Sequence, residues 1–504
     1  MESKDFSIPA TTRQIAHGAV WMMGLKLLER SIGLVSTVIL ARLLLPEDFG
    51  LVAMAIAVVA LLELMTAFGF DTALIQRQQT GREHYDTAWT FNVFFGLAIS
   101  ALVVVLAVPA ATFYHEARLE QILPILALSA LVGGFENIGT VAFRKELDFR
   151  SEFRFLLAKR LSTFVVTVGL AIAFRSYWAL IAGTVTGRFV SVFISYRLHA
   201  YRPRISLAAR ADLFHFSKWL LISSLIQFLN NRSTDFILGR TVGSHGLGIY
   251  NVAFEIATLP STELIAPLNR AVFPAYSRLS TDLDQLRSRF MTVFSMICMA
   301  AFPVSVGVLC VAEPAVKLLL GSQWLDAIPL IRIVAISGLI GALQSNLYLV
   351  ILALGKPKAN TYLSATVLAV SLPSIVISSL YFGATGAAFA HCLSSIVGLI
   401  GISVVFFRLT GVSVGAFGGL MIRPIVASAT MAMVVWGVGS WLATNGAVRS
   451  SLVDLLVLTS TGAVTYVATI ILTWVAAGRP NGPELRLLGL LSIQLQNRGL
   501  WQSR

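Results

Sequence analysis

Charge is scarce in this chain. Of its 504 residues only 12% are Asp, Glu, Lys or Arg, while 56% are hydrophobic, about half the charge of an ordinary soluble domain. That excludes a water-soluble globular protein and places the chain among polytopic membrane proteins. Cysteine is nearly absent too. Cys298, Cys310 and Cys392 are odd in number, lack metal-ligand spacing and fall in or near apolar runs, so they read as small core residues. The seven histidines (His17, His84, His115, His199, His215, His245 and His391) are scattered singly, so no zinc pair is expected. No Gly-rich phosphate loop and no nucleophilic triad is evident, so no cofactor, metal or ATP chemistry is expected. Long loops are missing as well, which leaves no room for an extramembrane catalytic domain. The polar start and long first apolar run do not resemble a cleavable signal peptide.

What is present is a series of apolar runs of about 20 residues, each able to cross a hydrocarbon core of about 30 Å. They predict an all-α polytopic fold of about fourteen spans, near 19–44, 49–70, 88–113, 122–143, 154–174, 177–197, 214–239, 247–273, 291–312, 327–353, 361–382, 385–407, 420–442 and 452–476. The widest connection is expected between Pro274 and Phe290. With the N-terminus in the cytoplasm, 25 of the 38 Lys and Arg lie inside. Six lie outside (Arg42, Arg118, Arg175, Arg240, Lys317 and Arg449) and seven within spans. This bias predicts cytoplasmic N- and C-termini, and it assigns the net charge of +13 to membrane orientation rather than to nucleic acid.

An internal repeat is visible. Ile39–Ala55 aligned without a gap on Ile237–Ala253 matches at five positions, among them Arg42 with Arg240 and Gly50 with Gly248. Both segments end one span and begin the next. The repeat predicts two six-helix lobes, 19–200 and 214–407, related by a pseudo-two-fold along the membrane normal with a substrate path between them. Residues 1–18 form a cytoplasmic N-terminus and 201–213 a cytoplasmic linker. Two extra helices occupy 408–476, and 477–504 is an amphipathic cytoplasmic tail whose helical part begins near Pro483.

Charges inside the spans are the candidate functional groups, because each costs roughly 2.5–3.5 kcal/mol in lipid unless it faces protein or a watery cavity. Lys26, Glu29 and Arg30 share one face of the first span, which is therefore expected to line a polar chamber. The other intramembrane bases are Arg188, Lys218, Arg232, Arg270 and Arg332. Of these, Arg188 follows the small-residue pattern Gly183–Gly187, a tight-packing signal. The seventh span carries QFLNNRSTD, with Gln227, Asn230, Asn231, Arg232 and Asp235 forming a polar stripe suited to sugar hydroxyls. Glu29, Asp235, Glu255 and Glu263 are candidates for ion coupling, with Glu63 and Asp71 behind them. Pro260 and Pro267 predict a bending eighth span.

The runs LARLLLPEDFGLVAMA (Leu40–Ala55), FGFDTALIQRQ (Phe68–Gln78), YDTAWTFNVFFG (Tyr85–Gly96) and FRKELDFRSEFRFLLAKR (Phe143–Arg160) resemble the Wzx-type polysaccharide flippases. These belong to the polysaccharide branch of the multidrug/oligosaccharidyl-lipid/polysaccharide superfamily. The resemblance implies alternating access by a non-enzymatic transporter of the bacterial inner membrane, serving exopolysaccharide or lipopolysaccharide synthesis. Its implied cargo is an undecaprenyl-diphosphate-linked oligosaccharide, and its implied partners are membrane lipids, a polysaccharide polymerase and a chain-length regulator. Lys26, Arg30, Arg188, Arg232 and Arg270 would then meet the diphosphate, and Gln227, Asn230 and Asn231 the glycan. The alternatives are a peptidoglycan-precursor flippase, a cation-coupled multidrug exporter and, more distantly, a polyprenyl-linked glycosyltransferase or polymerase. The basic spans argue against cationic drugs. Glu47 and Asp48 sit in a tight PEDFG turn rather than in a catalytic loop.

Overall fold

The computed structural model describes residues 10–64, 70–76, 80–210, 217–444 and 451–479. The expected helix beginning near Pro483 therefore lies outside the described residues. Those described are helical, with no strand among them. The helices are α1 (Ala10–Leu43), α2 (Pro46–Glu63), α3 (Phe70–Gln76), α4 (Arg82–Val105), α5 (Ala107–Tyr114), α6 (Leu119–Gly134), α7 (Val141–Lys145), α8 (Phe149–Phe174) and α9 (Trp178–Leu198). They continue as α10 (Ser217–Arg278), α11 (Leu283–Leu319), α12 (Ala327–Ala353), α13 (Pro357–Thr410), α14 (Val414–Thr444) and α15 (Ser451–Ala476).

Local chemistry sets many of these boundaries. Pro46 opens α2, and Asp48 accepts a hydrogen bond from the Leu45 amide at 2.9 Å. Asp148 caps α8 through the Ser151 amide, and Asp282 caps α11 through the Gln285 amide. Gly411, in the left-handed region at φ 67°, closes α13. Two of the longest helices are broken by glycine: the non-helical dihedrals are at Gly243 in α10 and Gly383 in α13.

Pro260, Pro267 and Pro274 all lie inside helical α10. The wide connection expected from Pro274 to Phe290 is accordingly short, because helix continues to Arg278 and resumes at Leu283. The Pro274 ring is accommodated within the last turns of α10 instead of ending them.

The chain divides into two compact units, Met1–Ile249 and Tyr250–Arg504. In the first, α1 lies along α8, α8 along α9, and α6 sits among α2, α4, α5 and α9. Gly183 and Gly187 of α9 press on Thr167 and Thr163 of α8, which is the tight packing their spacing predicts. In the second unit α11 packs on α12, α14 and α15, and α12 on α13. Its core is aromatic: the Phe290 and Phe406 rings are 4.4 Å apart, those of Phe294 and Phe417 4.5 Å.

Large apolar side chains point outward along many helices, among them Phe94, Phe174, Val464 and Trp436. In water this would be a large unpaid exposure; in lipid it is the expected surface. Eight helices are long and apolar enough to cross a membrane, and the pair Leu119–Gly134 and Ile138–Lys145, bent by 66°, makes a ninth if taken as one span, all among the described residues. Three long helices fall short of that criterion: α1 and α10 are the most polar of the long helices, and α2 is apolar but carries Glu47, Asp48 and Glu63 within its 18 residues.

Candidate functional site

A charged chamber of about 660 Å³ is built inside the first unit. Its floor is the crossing of α4 and α6. A Cβ at Gly96 would lie 2.9 Å from the Gly134 Cα, and one at Gly134 would lie 2.7 Å from the Asn92 carbonyl, so the two backbones touch as only glycine allows. Around this floor stand Glu63 at the end of α2, Glu136 after α6, Arg144 of α7, Glu152 of α8 and Arg188 of α9. Arg188 Nη2 donates to Glu63 Oε1 at 3.0 Å, and the Ser191 hydroxyl donates to Glu136 Oε2 at 2.7 Å. Arg144 Nε lies 3.5 Å from Glu152 Oε1. Lys159 is half-buried within electrostatic reach of Glu136, Arg188, Glu63 and Glu29. This lysine lies near the end of the basic run Phe143–Arg160. The helix starts at Phe149, so Lys159 stands ten residues, about 15 Å, along α8.

Of the residues singled out by sequence, Arg188 is in this chamber, with Glu63 as its partner. Glu29 of α1 is within electrostatic reach of Lys159 of α8. Lys26 is exposed on α1, and Glu29 and Arg30 are half-buried.

A second polar group lies on α10, before the break at Gly243. Arg232 Nη1 pairs with Asp235 Oδ2 at 3.1 Å, and Asp235 is buried beside Tyr114 of α5. Asn230 donates to its own helix at the Ile226 carbonyl, 3.0 Å away. Gln227 and Asn231 are exposed. The polar stripe thus splits: Asp235 is inward and charge-paired, and the two amides four and eight residues earlier are open.

In the second unit Arg270 is exposed and Glu255 and Glu263 are half-buried. Beside Arg270, Asn269 donates to the Ser345 hydroxyl at 2.8 Å, and Asn346 donates to Asn269 at 3.2 Å. Tyr276 donates to Asn346 at 3.4 Å. This hydrogen-bonded seam joins α10 to α12 with every partner supplied by protein. Sequence reasoning missed it because its members are spread over 78 residues.

The loop groups are also well defined. The Glu116 carboxylate is held below its usual value, chiefly by hydrogen bonds from Arg118 at 2.7 Å and against the opposing effect of burial. The chain after α9 is stapled to α4: Asp86, buried, accepts from the Tyr201 hydroxyl at 2.5 Å and the Arg204 amide at 2.8 Å. Burial, then Asp86, pushes the Tyr201 phenol up. Among the described residues no group of three or more His, Cys, Asp and Glu could hold a metal ion.

Long apolar helices, lipid-type surface and charges gathered in interior chambers define a multi-pass membrane protein of the transporter class. The chain belongs to the polysaccharide biosynthesis protein family, whose model matches residues 39–329. It is 25% identical to the lipopolysaccharide biosynthesis protein WzxC of Escherichia coli, over 76% of this chain and 79% of that one. It is 24% identical to the teichuronic acid biosynthesis protein TuaB of Bacillus subtilis, covering 91% and 95%. To the succinoglycan biosynthesis transport protein ExoT of Rhizobium meliloti it is 26% identical, covering 87% and 89%. In fold it is similar to the lipid II flippase MurJ in an inward closed conformation, with TM-score 0.72 at 14% identity, covering 92% of this chain and all of that one. An inward-facing multidrug transporter of the MATE family follows, with TM-score 0.57 at 16% identity and coverage of 76% and 96%.

Proposed function

We propose that this protein is a flippase that moves an undecaprenyl-diphosphate-linked oligosaccharide across the bacterial inner membrane for exopolysaccharide or lipopolysaccharide assembly. The observation that carries the reading is where the polar residues fall. Lys26 on α1 and Gln227 and Asn231 on α10 are exposed on the very helices that are least suited to lipid. Such groups are costly against acyl chains and are stabilised against a hydrated path. In this reading Lys26, Arg30, Arg188, Arg232 and Arg270 neutralise the diphosphate, and Gln227, Asn230 and Asn231 meet the glycan. Glu29, Asp235, Glu255 and Glu263 are the carboxylates proposed for ion coupling, and the Glu63–Arg188 pair joins them.

The architecture proposed is fourteen spans in two six-helix lobes related by an axis along the membrane normal, two further spans, and both termini in the cytoplasm. Two features support it. The breaks at Gly243 and Gly383 each divide an over-long helix into two pieces of span length. The aligned glycines Gly50 and Gly248 touch one another, as residues beside a two-fold axis do.

The test is deletion of the gene followed by leaflet-resolved analysis of lipid-linked sugars. The expected result is accumulation of one oligosaccharide-diphospho-lipid in the inner leaflet, relieved by the wild-type chain and not by Arg30→Ala at equal membrane level. Normal leaflet distribution in the deletion would overturn the reading.

A further inference from the structure

A cavity of about 840 Å³ lies in the second unit, lined by none of the residues that line the chamber of the first. It is framed by the end of α11, the start of α12, the end of α14 and the start of α15. The 320–326 connection joins α11 to α12 beside it, so the cavity sits at one end of these helices. Much of its wall is apolar, with Leu309, Met433 and Trp436 among the lining, and Met433 and Trp436 are strongly exposed toward what would be lipid.

Four charges line it. Lys317 and Glu313 satisfy each other, Nζ to Oε1 at 2.7 Å. Arg332, exposed, and Asp454, half-buried, make no hydrogen bond or ion pair of contact distance among the described residues, although Arg332 lies within electrostatic reach of Glu313. Arg332 projects from α12, the helix whose apolar window is the most buried of the eight candidate spans. It stands five residues inside that helix, about 7.5 Å, and Asp454 three residues inside α15, about 4.5 Å. Both depths match the boundary between headgroups and acyl chains.

A guanidinium and a carboxylate that keep free hydrogen-bonding positions in one largely apolar recess at this depth are stabilised by a ligand that brings the opposite charges to them. We infer that this recess holds a zwitterionic glycerophospholipid of the phosphoethanolamine type. Its phosphate lies against Arg332, its ammonium donates to Asp454, and its chains run along the Met433 and Trp436 face of α14. The chemistry selects among lipids. A planar guanidinium matches two phosphate oxygens. Asp454 needs an N–H donor, which ethanolamine has and choline lacks, and a glycerol headgroup brings no cation at all. The lipid would tie the helix pair α14–α15 to α11 and α12. This assignment is independent of the cargo proposed above and would stand or fall without it.

The test is native mass spectrometry of the full chain, stripped of lipid in mild detergent and reloaded with phosphatidylethanolamine, phosphatidylcholine or phosphatidylglycerol of matched chains. The wild type is expected to keep one phosphatidylethanolamine with affinity on the order of tenfold above the other two. Arg332→Gln and Asp454→Asn should each lose that preference, Arg332→Lys should retain part of it, and Lys26→Gln should leave it unchanged. Gel filtration and the melting temperature of the stripped proteins identify any variant that has misfolded, and Asp454→Asn, half-buried near a helix start, then decides alone. Equal binding of the three lipids by wild type overturns the headgroup assignment. An unchanged preference in both Arg332→Gln and Asp454→Asn overturns the site.

Discussion

Gly50 of α2 and Gly248 of α10 meet backbone to backbone. A Cβ on Gly50 would fall into the Ser244 carbonyl and within 2.9 Å of the Gly248 amide nitrogen. A Cβ on Gly248 would fall into the Pro46 carbonyl and within 2.9 Å of the Gly50 amide nitrogen. The contact is reciprocal, because Ser244 follows Pro46 by the same 198 residues that separate Gly248 from Gly50. Glu47 and His245, again 198 apart, face each other at 3.9 Å.

Gly248→Ala should therefore be among the most damaging single-methyl changes in the first unit. Overpacking of this sort costs about 1–3 kcal/mol, and here the obstacle is backbone rather than a movable side chain. The expected result is a lower melting temperature and reduced polysaccharide export at normal expression. Gly307→Ala is the contrast, since nothing lies within 4 Å of a Cβ there; helix propensity alone should make it neutral or slightly stabilising, by up to about 1 kcal/mol.

Much of this was legible in the chain because apolar run length and small-residue spacing act locally. The repeat was visible at Ile39–Ala55 and Ile237–Ala253 as a handful of identities, and two of its aligned glycines, Gly50 and Gly248, are in contact. Lys159 falls inside the expected span 154–174, but its nearness to Glu136, Arg188, Glu63 and Glu29 was not legible, since those charges come from distant parts of the chain. The Asn269–Asn346–Tyr276 seam was hidden for another reason: its partners come together only through the packing of α10 on α12. The polar run 227–235 was found by its spacing, but which of its members turn inward depends on α5 and Tyr114, far away in sequence.

The Glu63–Arg188 pair gives a second prediction. The two side chains are partly exposed, 41% and 35%, so the pair itself adds little to stability, within about 1 kcal/mol. Any large effect of changing it must then come through transport. Glu63→Gln and Arg188→Gln should each lower export severalfold with little change in melting temperature, and the double variant should be no worse than the poorer single one. A fully additive double variant would show that the two act separately.

Asp86 offers a third. It collects the Tyr201 hydroxyl, the Arg204 amide and, at 3.5 Å, Arg82. Asp86→Ala removes the acceptor of two part-buried hydrogen bonds, at a cost of about 1 kcal/mol. The strap after His199 should come loose from α4, seen as faster proteolysis within residues 199–210. Tyr201→Phe, which removes one donor and leaves the carboxylate with the Arg204 amide, should show a smaller increase.

Glu116 makes the pH dependence testable. Arg118 holds it through two hydrogen bonds of 2.7 Å, Ser244 of α10 donates at 3.3 Å, and its carboxyl titrates below the ordinary value of 4.5. The unfolded chain therefore binds this proton first as pH falls. The stabilisation is fully present above the unfolded value and is lost as pH falls through it toward the lower folded one. Wild type should melt higher than Glu116→Gln at neutral pH, and the gap should narrow as pH falls from about 5 toward 3. A gap of constant size across that range would assign the effect to packing of the side chain, not to its charge.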